Sequence, residues 1–442
     1  MKLAVVVQRY GADINGGAEL HARYIAERLS RHVQVEVVTT CAHDYVTWRN
    51  ELPAGVSHVN GVQVRRFPVR HERVPAEFGR HSRRVFESRH STADELAWLE
   101  SEGPASPALL EYLEAAAADF DFVVFFSYRY YHAWHGARRL STKAVLVPTA
   151  ERDPAIALSI FGPTFRGVRA VMYNSYEERA MIQAATRNTD VPGVVVGVGS
   201  EVPERTDAVR FRGKFNINGP FAIYVGRIDE NKGCTELFDY FQRYASTFPR
   251  GLDLVLVGSP ILKVPAHPRI RHLGFLSDED KFDAITAADL LIMPSYFESL
   301  SMVALEAWAL GRPVLANGRC DVLKGQCIRS RAGLYYEAYE EFAEALYSLE
   351  SNGPLHARLG RNGREYFRHH YAWPVIERKY LDMFEFLQRD ARRNVMEPLP
   401  GWWARRKRDL PPASEALSAI PAGAVVPDSL GEQVGRQGRQ LL

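Results

Sequence analysis

The chain of 442 residues lacks the features of several specialised protein classes. No apolar stretch approaches the roughly 18–20 uncharged residues that span a bilayer, which excludes an integral membrane protein. The four cysteines form no C-x-x-C pair and have no histidine at ligand spacing, so we expect reduced thiols, a cytoplasmic location and no bound metal. Because 55 Lys and Arg residues nearly balance 53 Asp and Glu residues, the net charge does not indicate nucleic-acid binding.

Glycine-rich nucleotide motifs are missing as well. The loop after the first apolar run reads GADINGG and ends in Gly16 and Gly17, but neither GxGxxG nor GxxxxGK[ST] occurs there. A dinucleotide-binding site and a P-loop therefore lose their main support. Paired glycines still let the backbone approach a phosphate closely, so both remain candidate ligand-binding residues, with a plain loop-to-helix turn as the alternative.

Short apolar runs followed by amphipathic helices occur in two separate series. The first series starts with Leu3–Val7 and the second with Phe221–Val225, and each run suits a strand that is buried on both faces. Strands that alternate with helices form parallel sheets covered by those helices. We therefore predict an α/β protein with two Rossmann-like, doubly wound domains that face each other across a cleft.

Composition suggests where these domains begin and end. We predict a first domain over residues 1–205, a second over 206–363, and closing helices over 364–390 that cross back to the first domain. Residues 391–442 are rich in Pro, Ala, Gly and Arg and are interpreted as a largely disordered basic tail.

The stretch PSYFESLSMVALEAWALG carries the most chemical information. Glu298 follows a predicted strand at or just before a helix N-terminus, and Glu306 lies eight residues later. Eight helical residues span about 12 Å, and both carboxylates would face one cleft. The amides of Ser299, Leu300 and Ser301 are expected as first-turn donors to an anion. The plainer interpretation makes both glutamates capping or solvated residues.

A second group of charges lies in GRIDENKG, directly after Phe221–Val225. Gly226 and Gly233 flank Arg227 and Lys232, at the strand-to-helix crevice of the second predicted domain. Two cations at this spacing can neutralise a departing diphosphate in place of a metal ion. A solvated loop is the plainer alternative.

These three sites, in this order, resemble those of the retaining glycosyltransferases of the GT-B fold, specifically the large fourth family, also described as glycosyl transferases group 1. The resemblance covers roughly residues 1–390. It is carried by E-x7-E in FESLSMVALEAWALGRPVLA, by YVGRIDENKG and by the N-terminal glycine pair. It implies a hexosyltransferase that uses a nucleotide diphosphate sugar as donor and needs no metal or other cofactor.

The resemblance also implies a role for each matching residue. Arg227 and Lys232 would bind the donor diphosphate, Glu306 the ribose, and Glu298 the transferred sugar. The amides of residues 299–301 would hold phosphate or sugar hydroxyls.

Two further segments extend the resemblance. HLGFL, with Gly274 and Phe275, resembles the segment whose backbone contacts the nucleobase. Many family members place a histidine near the donor sugar, whereas this chain has VPTAERDPAI, with Glu151 at that position. Glu151 is predicted to bind a sugar hydroxyl or to stabilise oxocarbenium-like charge, with altered specificity or lost activity as the alternative. His132 and His135 are nearby candidates for the same role.

The function implied is transfer of a hexose, with retention of configuration, to a saccharide or lipid-linked acceptor on the first-domain side of the cleft. Such a reaction would serve the assembly of cell-surface polysaccharide or glycolipid. One alternative is a non-catalytic module that binds a nucleotide sugar or a partner on the same fold. Another is a different two-domain enzyme, such as an epimerase without NAD or a phosphorylase.

Two basic segments leave a peripheral membrane contact open. Residues 65–90 hold eight Arg against three Glu, and GWWARRKR lies within the predicted tail. The insert can attract an anionic acceptor or a membrane surface, with a solvated surface whose charges compensate one another as the plainer interpretation. The GWWARRKR segment can lie at a membrane interface, with a solvated charge run beside two docking tryptophans as the plainer interpretation.

Overall fold

The computed structural model describes residues 1–14, 16–399, 418 and 420. Met1–Glu397 form one compact unit. The strands are β1 (Lys2–Val6), β2 (Gln34–Thr40), β3 (Gly55–Val59), β4 (Val62–Phe67), β5 (Phe122–Phe126), β6 (Ala144–Val147), β7 (Ala170–Tyr173), β8 (Gly193–Val195), β9 (Phe221–Val225), β10 (Asp253–Val257), β11 (Ile270–His272), β12 (Leu290–Met293), β13 (Val314–Asn317) and β14 (Gly333–Tyr336).

The helices are α1 (Gly17–Leu29), α2 (Pro75–Phe86), α3 (Thr92–Glu102), α4 (Pro107–Ala115), α5 (Tyr131–Arg139), α6 (Phe161–Gly167), α7 (Tyr176–Thr186), α8 (Ala208–Phe215), α9 (Cys234–Thr247), α10 (Asp278–Ala287), α11 (Met302–Ala309), α12 (Asp321–Ser330), α13 (Tyr339–Ser351), α14 (Gly353–His370) and α15 (Trp373–Arg389). Short 3-10 turns occur at Ala117–Asp119 and Pro154–Ala157.

The strands form two sheets, one in each predicted domain. The first has the order β3-β4-β2-β1-β5-β6-β7-β8 and is parallel except for the β3–β4 pair, and the second has the parallel order β11-β10-β9-β12-β13-β14. The strand order reverses at β1 and at β9, and ligands bind in the crevice at the carboxyl ends of such strands. The predicted α/β fold with two doubly wound sheets is confirmed.

Apolar sequence explains why the central strands lie inside. All five residues of Phe122–Phe126 and of Phe221–Val225 are buried, because helices cover both faces of each sheet. The run predicted at Leu3–Val7 forms β1 one residue earlier, at Lys2–Val6. The second run coincides with β9 as predicted.

The chain crosses back to the first domain later than the predicted boundary at 364, which lies inside α14. That helix packs on the second domain, where Tyr366 meets Trp308 edge to face with ring centroids 5.6 Å apart. α15 instead lies on the first domain, where Phe384 stacks on Phe122 with centroids 5.4 Å apart. The crossing therefore falls between α14 and α15.

The segment after α15 continues on the first domain as far as Glu397. Arg166 forms an ion pair with Glu397 at 2.7 Å, and the side-chain amide of Asn394 donates to the carbonyl of Val168 at 2.6 Å. The prediction of a disordered tail from residue 391 is therefore wrong for 391–397, whose polar groups find partners on α6 and next to it. The GWWARRKR segment lies outside the described residues.

Four of the eight arginines in the insert over residues 65–90 pair with neighbouring carboxylates. Arg65 pairs with Glu36 at 2.7 Å, and the partly buried Arg73 pairs with Glu102 at 3.0 Å. These contacts agree with the interpretation of a surface whose charges compensate one another. Within residues 1–14 and 16–399, no helix is long and apolar enough to cross a membrane.

Candidate active site

Two loops of the second domain meet at an ion pair between Lys232 and Glu298. The loop after β9 carries the lysine and the loop after β12 carries the glutamate, and Lys232 Nζ donates to Glu298 Oε1 at 2.8 Å. Burial disfavours the charged ammonium, but the adjacent Glu298 outweighs burial, so the pKa of Lys232 is raised. Lys232 is therefore a cation at neutral pH, as predicted for an anion-binding residue.

Close backbone packing brings these two loops together. Gly233 is the N-cap of α9 and has φ at +70°, and a Cβ atom there would lie 2.1 Å from the carbonyl oxygen of Pro294. Only glycine combines this left-handed conformation with that approach. The side-chain amide of Asn317 donates to the same carbonyl at 3.0 Å, which ties the end of β13 to the site.

Asp229 organises both predicted cations. Its carboxylate accepts the backbone N–H of Lys232 at 2.8 Å and pairs with the guanidinium of Arg227. The Arg227 side chain remains 56% exposed, so it lies at the open edge of the site. The two cations share one organising carboxylate, but only Lys232 contacts Glu298.

The helical geometry predicted for Glu298 and Glu306 is wrong. α11 begins only at Met302, so Glu298 and residues 299–301 belong to the preceding loop, and the estimate from helical rise does not apply. Ser301 is the N-cap, and its hydroxyl accepts the N–H of Ala304 at 3.3 Å. The amides of 299–301 are loop donors rather than first-turn donors, and within the described chain they have no backbone or side-chain acceptor.

Glu306 is 3% exposed and has partners that differ from those of Glu298. Its Oε1 accepts from the Ser200 hydroxyl at 2.8 Å and from the Lys281 ammonium at 3.2 Å. Its Oε2 is buried and has no partner in the part of the chain that the structure describes. Burial and the charge of Glu306 together raise the pKa of Tyr24 on α1 to about 12, so this carboxylate acts across the cleft on the first domain. A buried oxygen without a donor suits a ligand hydroxyl.

Glu151 extends the cluster from the first domain. It lies in the loop after β6 and is partly buried. Burial, helped by the charge of Glu298 and opposed by Lys232, raises the pKa of Glu151 to about 7. The three side chains therefore influence one another across the cleft.

Glu178 on α7 holds the loop that carries Glu151. Its carboxylate is 1% exposed and accepts the backbone N–H of Ala150 at 2.6 Å. It also accepts the N–H of Asn174, at the end of β7. One buried side chain thus joins the carboxyl ends of β6 and β7 beside the site.

The two histidines considered as alternatives are engaged within the first domain. His132 is fully buried, with Nε2 3.3 Å from the carbonyl of Phe126, and His135 pairs with Glu100 at 3.0 Å. Burial lowers the pKa of His132 to about 4, so its ring is neutral at pH 7. Glu151 is the residue that couples to Lys232 and Glu298.

The glycine pair flanks the cleft at the start of α1. Gly16 is the N-cap, and a Cβ there would lie 2.2 Å from the carboxylate of Glu19, which pairs with Arg9 at 2.6 Å. A Cβ on Gly17 would meet no atom within 4 Å, so Gly17 faces open space. Gly16 is thus needed for an internal ion pair, and only Gly17 leaves room for a ligand.

The segment predicted to contact a nucleobase lies just after β11. Gly274 has φ at +76°, and its carbonyl accepts the N–H of Gly258 at 2.8 Å. The adjacent Phe275 is 74% exposed. The ring is accessible for stacking, and its role stays a prediction.

A cavity of about 560 Å³ opens beside Glu298 and is lined by both domains. The first domain contributes the end of the Glu151 loop and α7, and the second contributes the Glu298 loop and α12. Its lining residues are Ala150, Arg152, Glu177, Glu178, Ala180, Met181, Tyr296, Phe297, Glu298, Arg319, Cys320, Asp321, Val322, Lys324, Gly325 and Ile328. The predicted cleft between the sheets is thus present at the cluster.

Sequence reasoning missed four residues that hold the site side chains in place, namely Asp229, Glu178, Ser200 and Lys281. Asp229 stands three residues before Lys232, the spacing of a side chain that caps a turn, and Ser175 with Glu178 fits a helix capping box. Those local patterns offered a signal. Ser200 and Lys281 are far from Glu306 in sequence, and no local pattern indicates their contact with it.

The two doubly wound sheets give the chain the GT-B fold. Residues 206–366 match the model of the family described as glycosyl transferases group 1, in agreement with the family resemblance predicted from the motifs. The mannosylfructose-phosphate synthase of Agrobacterium fabrum is 25% identical over 204 residues, which cover 41% of this chain and 44% of that protein. The chain matches about half the length of such curated relatives.

Solved structures resemble the chain over a larger part of its length. The sucrose-phosphate synthase of Thermosynechococcus elongatus superposes with a TM-score of 0.65 at 17% identity, covering 88% of this chain and 99% of that one. Anabaena HepE in complex with UDP gives 0.62 at 15% identity, covering 87% and 100%. At these identities the likeness establishes the fold.

Replacement of Gly233 with Ala should destabilise the protein by at least about 2 kcal/mol, because the new Cβ meets the Pro294 carbonyl and the left-handed conformation is strained. The measurement is the free energy of unfolding in denaturant. Gly219→Ala is the matched control, since a Cβ there meets no atom within 4 Å. Equal stability of the two variants would contradict the packing described here.

Glu151→Gln should change how stability depends on pH. The pKa of Glu151 is raised from 4.5 to about 7, so the folded state keeps this proton to higher pH and wild-type stability falls as pH rises through that range. The variant lacks this loss and should be more stable than wild type at pH 8, by on the order of 2–3 kcal/mol. At pH 5 the difference should nearly vanish. Glu340→Gln, an exposed substitution on α13, should show no such dependence.

Proposed function

We propose that the protein is a retaining glycosyltransferase that transfers a hexose from a nucleotide diphosphate sugar to a hydroxyl of a saccharide or lipid-linked acceptor, without a metal ion. The supporting observation is the cluster of Lys232, Glu298 and Glu151, which combines a partly buried cation with carboxylates from both sides of the cleft. The group 1 family match and the UDP complex of HepE support the donor class. A role in assembly of cell-surface polysaccharide or glycolipid, and a peripheral membrane location, stay predictions.

Donor binding follows from the groups that remain available. The Lys232 ammonium has three N–H groups, of which one donates to Glu298 and the others can donate to phosphate oxygens. Arg227 is exposed beside it, and its guanidinium can add bidentate contacts. The loop amides of 299–301 supply further donors. The unpartnered Oε2 of Glu306 suits a ribose hydroxyl.

The transfer itself breaks the bond between the sugar C1 and the β-phosphate oxygen. The acceptor oxygen forms its bond to C1 on the same face, and its proton passes to a phosphate oxygen of the departing nucleoside diphosphate. Lys232 and Arg227 stabilise the negative charge that develops on the leaving group. Glu298 and Glu151 orient the sugar and face the positive charge that develops at its ring.

Removal of either cation should abolish most transfer. Lys232→Ala should lower kcat about 100- to 1,000-fold, the usual loss when a donor to a developing anion is removed, and Arg227→Ala at least tenfold. The assay measures nucleoside diphosphate released from UDP-, GDP- and ADP-sugars. Lys214→Ala is the matched control, because Lys214 also pairs with one carboxylate, Asp280, at 2.7 Å, but on the α8–α10 surface. Near-wild-type turnover of Lys232→Ala would contradict the proposal.

Substitution of Glu306 tests the ribose contact. Glu306→Gln keeps an acceptor for Ser200 but loses the charge, so the nucleoside diphosphate identified in the donor assay should bind roughly 10-fold more weakly, as loss of a charged hydrogen bond implies. Calorimetric titration measures this affinity.

The control for that titration is the same nucleotide without its 2′ and 3′ hydroxyls. Its affinity should be equally low for wild type and variant, because it lacks the groups that Glu306 would bind. If Glu306→Gln weakens the binding of both nucleotides by the same factor, Glu306 does not bind the ribose.

A further inference from the structure

The cavity beside Glu298 continues as a groove between α7 and α12. On α12 the lining residues recur from Asp321 to Ile328, which corresponds to about 10 Å along one helix face. α12 begins next to Cys320, which lines the same cavity as Glu298. The groove therefore leads away from the candidate active site along α12. We call it the α7–α12 groove, and its apolar residues are Ala180, Met181, Phe297, Val322 and Ile328.

Some of these apolar side chains are unusually accessible. Ile328 is 57% exposed and Phe297 is 42% exposed, although both border a cleft between domains. Apolar side chains gathered on one concave surface are typical of ligand sites, whereas single exposed ones are common.

The charged residues that line the groove already have protein partners. Lys324 pairs with Glu337 at 2.8 Å, and Arg319 pairs with Glu236. At the other wall Glu177 accepts from Arg329 at 2.9 Å. Arg152 and Asp321, which both line the groove, pair with each other at 3.5 Å. Glu298 pairs with Lys232, and Glu178 accepts backbone N–H groups.

This pairing decides the chemistry of a fitting ligand. A charged group placed in the groove would have to compete with these existing ion pairs for a counter-charge. An uncharged apolar group would instead displace water from the exposed aliphatic and aromatic surface.

Both walls of the groove depend on a direct contact between the two domains. A Cβ on Gly325 would lie 2.0 Å from Glu177 Oε1, so the glycine allows α7 and α12 to approach. The bidentate pair of Glu177 with Arg329 then joins the helices at one side. The groove therefore lies in the cleft between the domains that Glu298 also lines.

We propose that the α7–α12 groove binds an uncharged apolar aglycone of the acceptor, while the acceptor hydroxyl lies at the Glu298 end. This inference rests on the proposed glycosyltransferase function and narrows its acceptor class from any saccharide to a glycoside or glycolipid with an apolar arm.

The test is calorimetric titration of the full chain with three probes that share one sugar: methyl, phenyl and n-octyl β-D-glucopyranoside, the last kept below its micellar concentration. The octyl or the phenyl compound should bind at least tenfold more tightly than the methyl compound. If the octyl compound binds more tightly than the phenyl compound, the apolar arm is chain-like. If the phenyl compound binds at least as tightly as the octyl compound, the arm is a ring. Equal affinity for all three would overturn the proposal.

Two variants locate the binding site. Ile328→Ser and Met181→Ser should each weaken binding of the tighter probe about tenfold and leave the methyl compound unaffected, because each removes aliphatic surface from the groove. Val209→Ser, at an 81% exposed aliphatic residue on α8, is the matched control and should change nothing. Binding that survives both groove substitutions would overturn the proposal.

Release of nucleoside diphosphate, measured on the same preparations, tests the proposed function separately. Ile328→Ser should still release nucleoside diphosphate when water is the sugar acceptor, since Ile328 is not among the residues proposed to bind the donor. A protein that releases no nucleotide but binds the octyl probe in the groove would contradict the transferase and leave the apolar site in place.

Discussion

The ion pair between Lys232 and Glu298 is the interaction on which the candidate site depends. It joins two loops that follow neighbouring strands, β9 and β12, and it keeps an ammonium charged in a partly buried position. The backbone makes this possible, since Gly233 packs directly against Pro294. Asp229 then orients Arg227 relative to the same loop. Without the close loop packing, neither cation would have a defined position.

The first domain completes the charge balance. Lys232 contributes one positive charge and Glu298 one negative charge, so Glu151 decides the net charge of the cluster. Because the pKa of Glu151 is raised to about 7, its carboxyl carries a proton in a large share of molecules near neutral pH. A neutral Glu151 repels an incoming diphosphate less than a carboxylate would. Glu151 can thus be neutral or anionic, whereas a histidine at the same position would be neutral or cationic.

Local sequence patterns predicted most of the architecture and the identity of the charged loops. The apolar run Phe221–Val225 is a strand because only a sheet interior buries such a segment on both faces. The positions of Lys232 and Glu298 after predicted strands followed from the sequence, whereas their pairing depends on β9 lying beside β12 in the sheet. The start of α11 did not follow, because Ser301 rather than an earlier residue caps the helix. The extent of the tail was also misjudged, because the partners of Asn394 and Glu397 lie in the first domain.

The sequence by itself determined the two α/β domains, the glycine-flanked cations and the two glutamates of the E-x7-E motif, because strand burial, helix periodicity and motif spacing are local properties. Only the tertiary structure decided which groups share a site. Glu151 feels the charges of Lys232 and Glu298 across the cleft, Ser200 and Lys281 contact Glu306, and α7 approaches α12 to form the groove. Those contacts join residues far apart in the chain, and their distances depend on how two folded domains pack, which no local pattern contains.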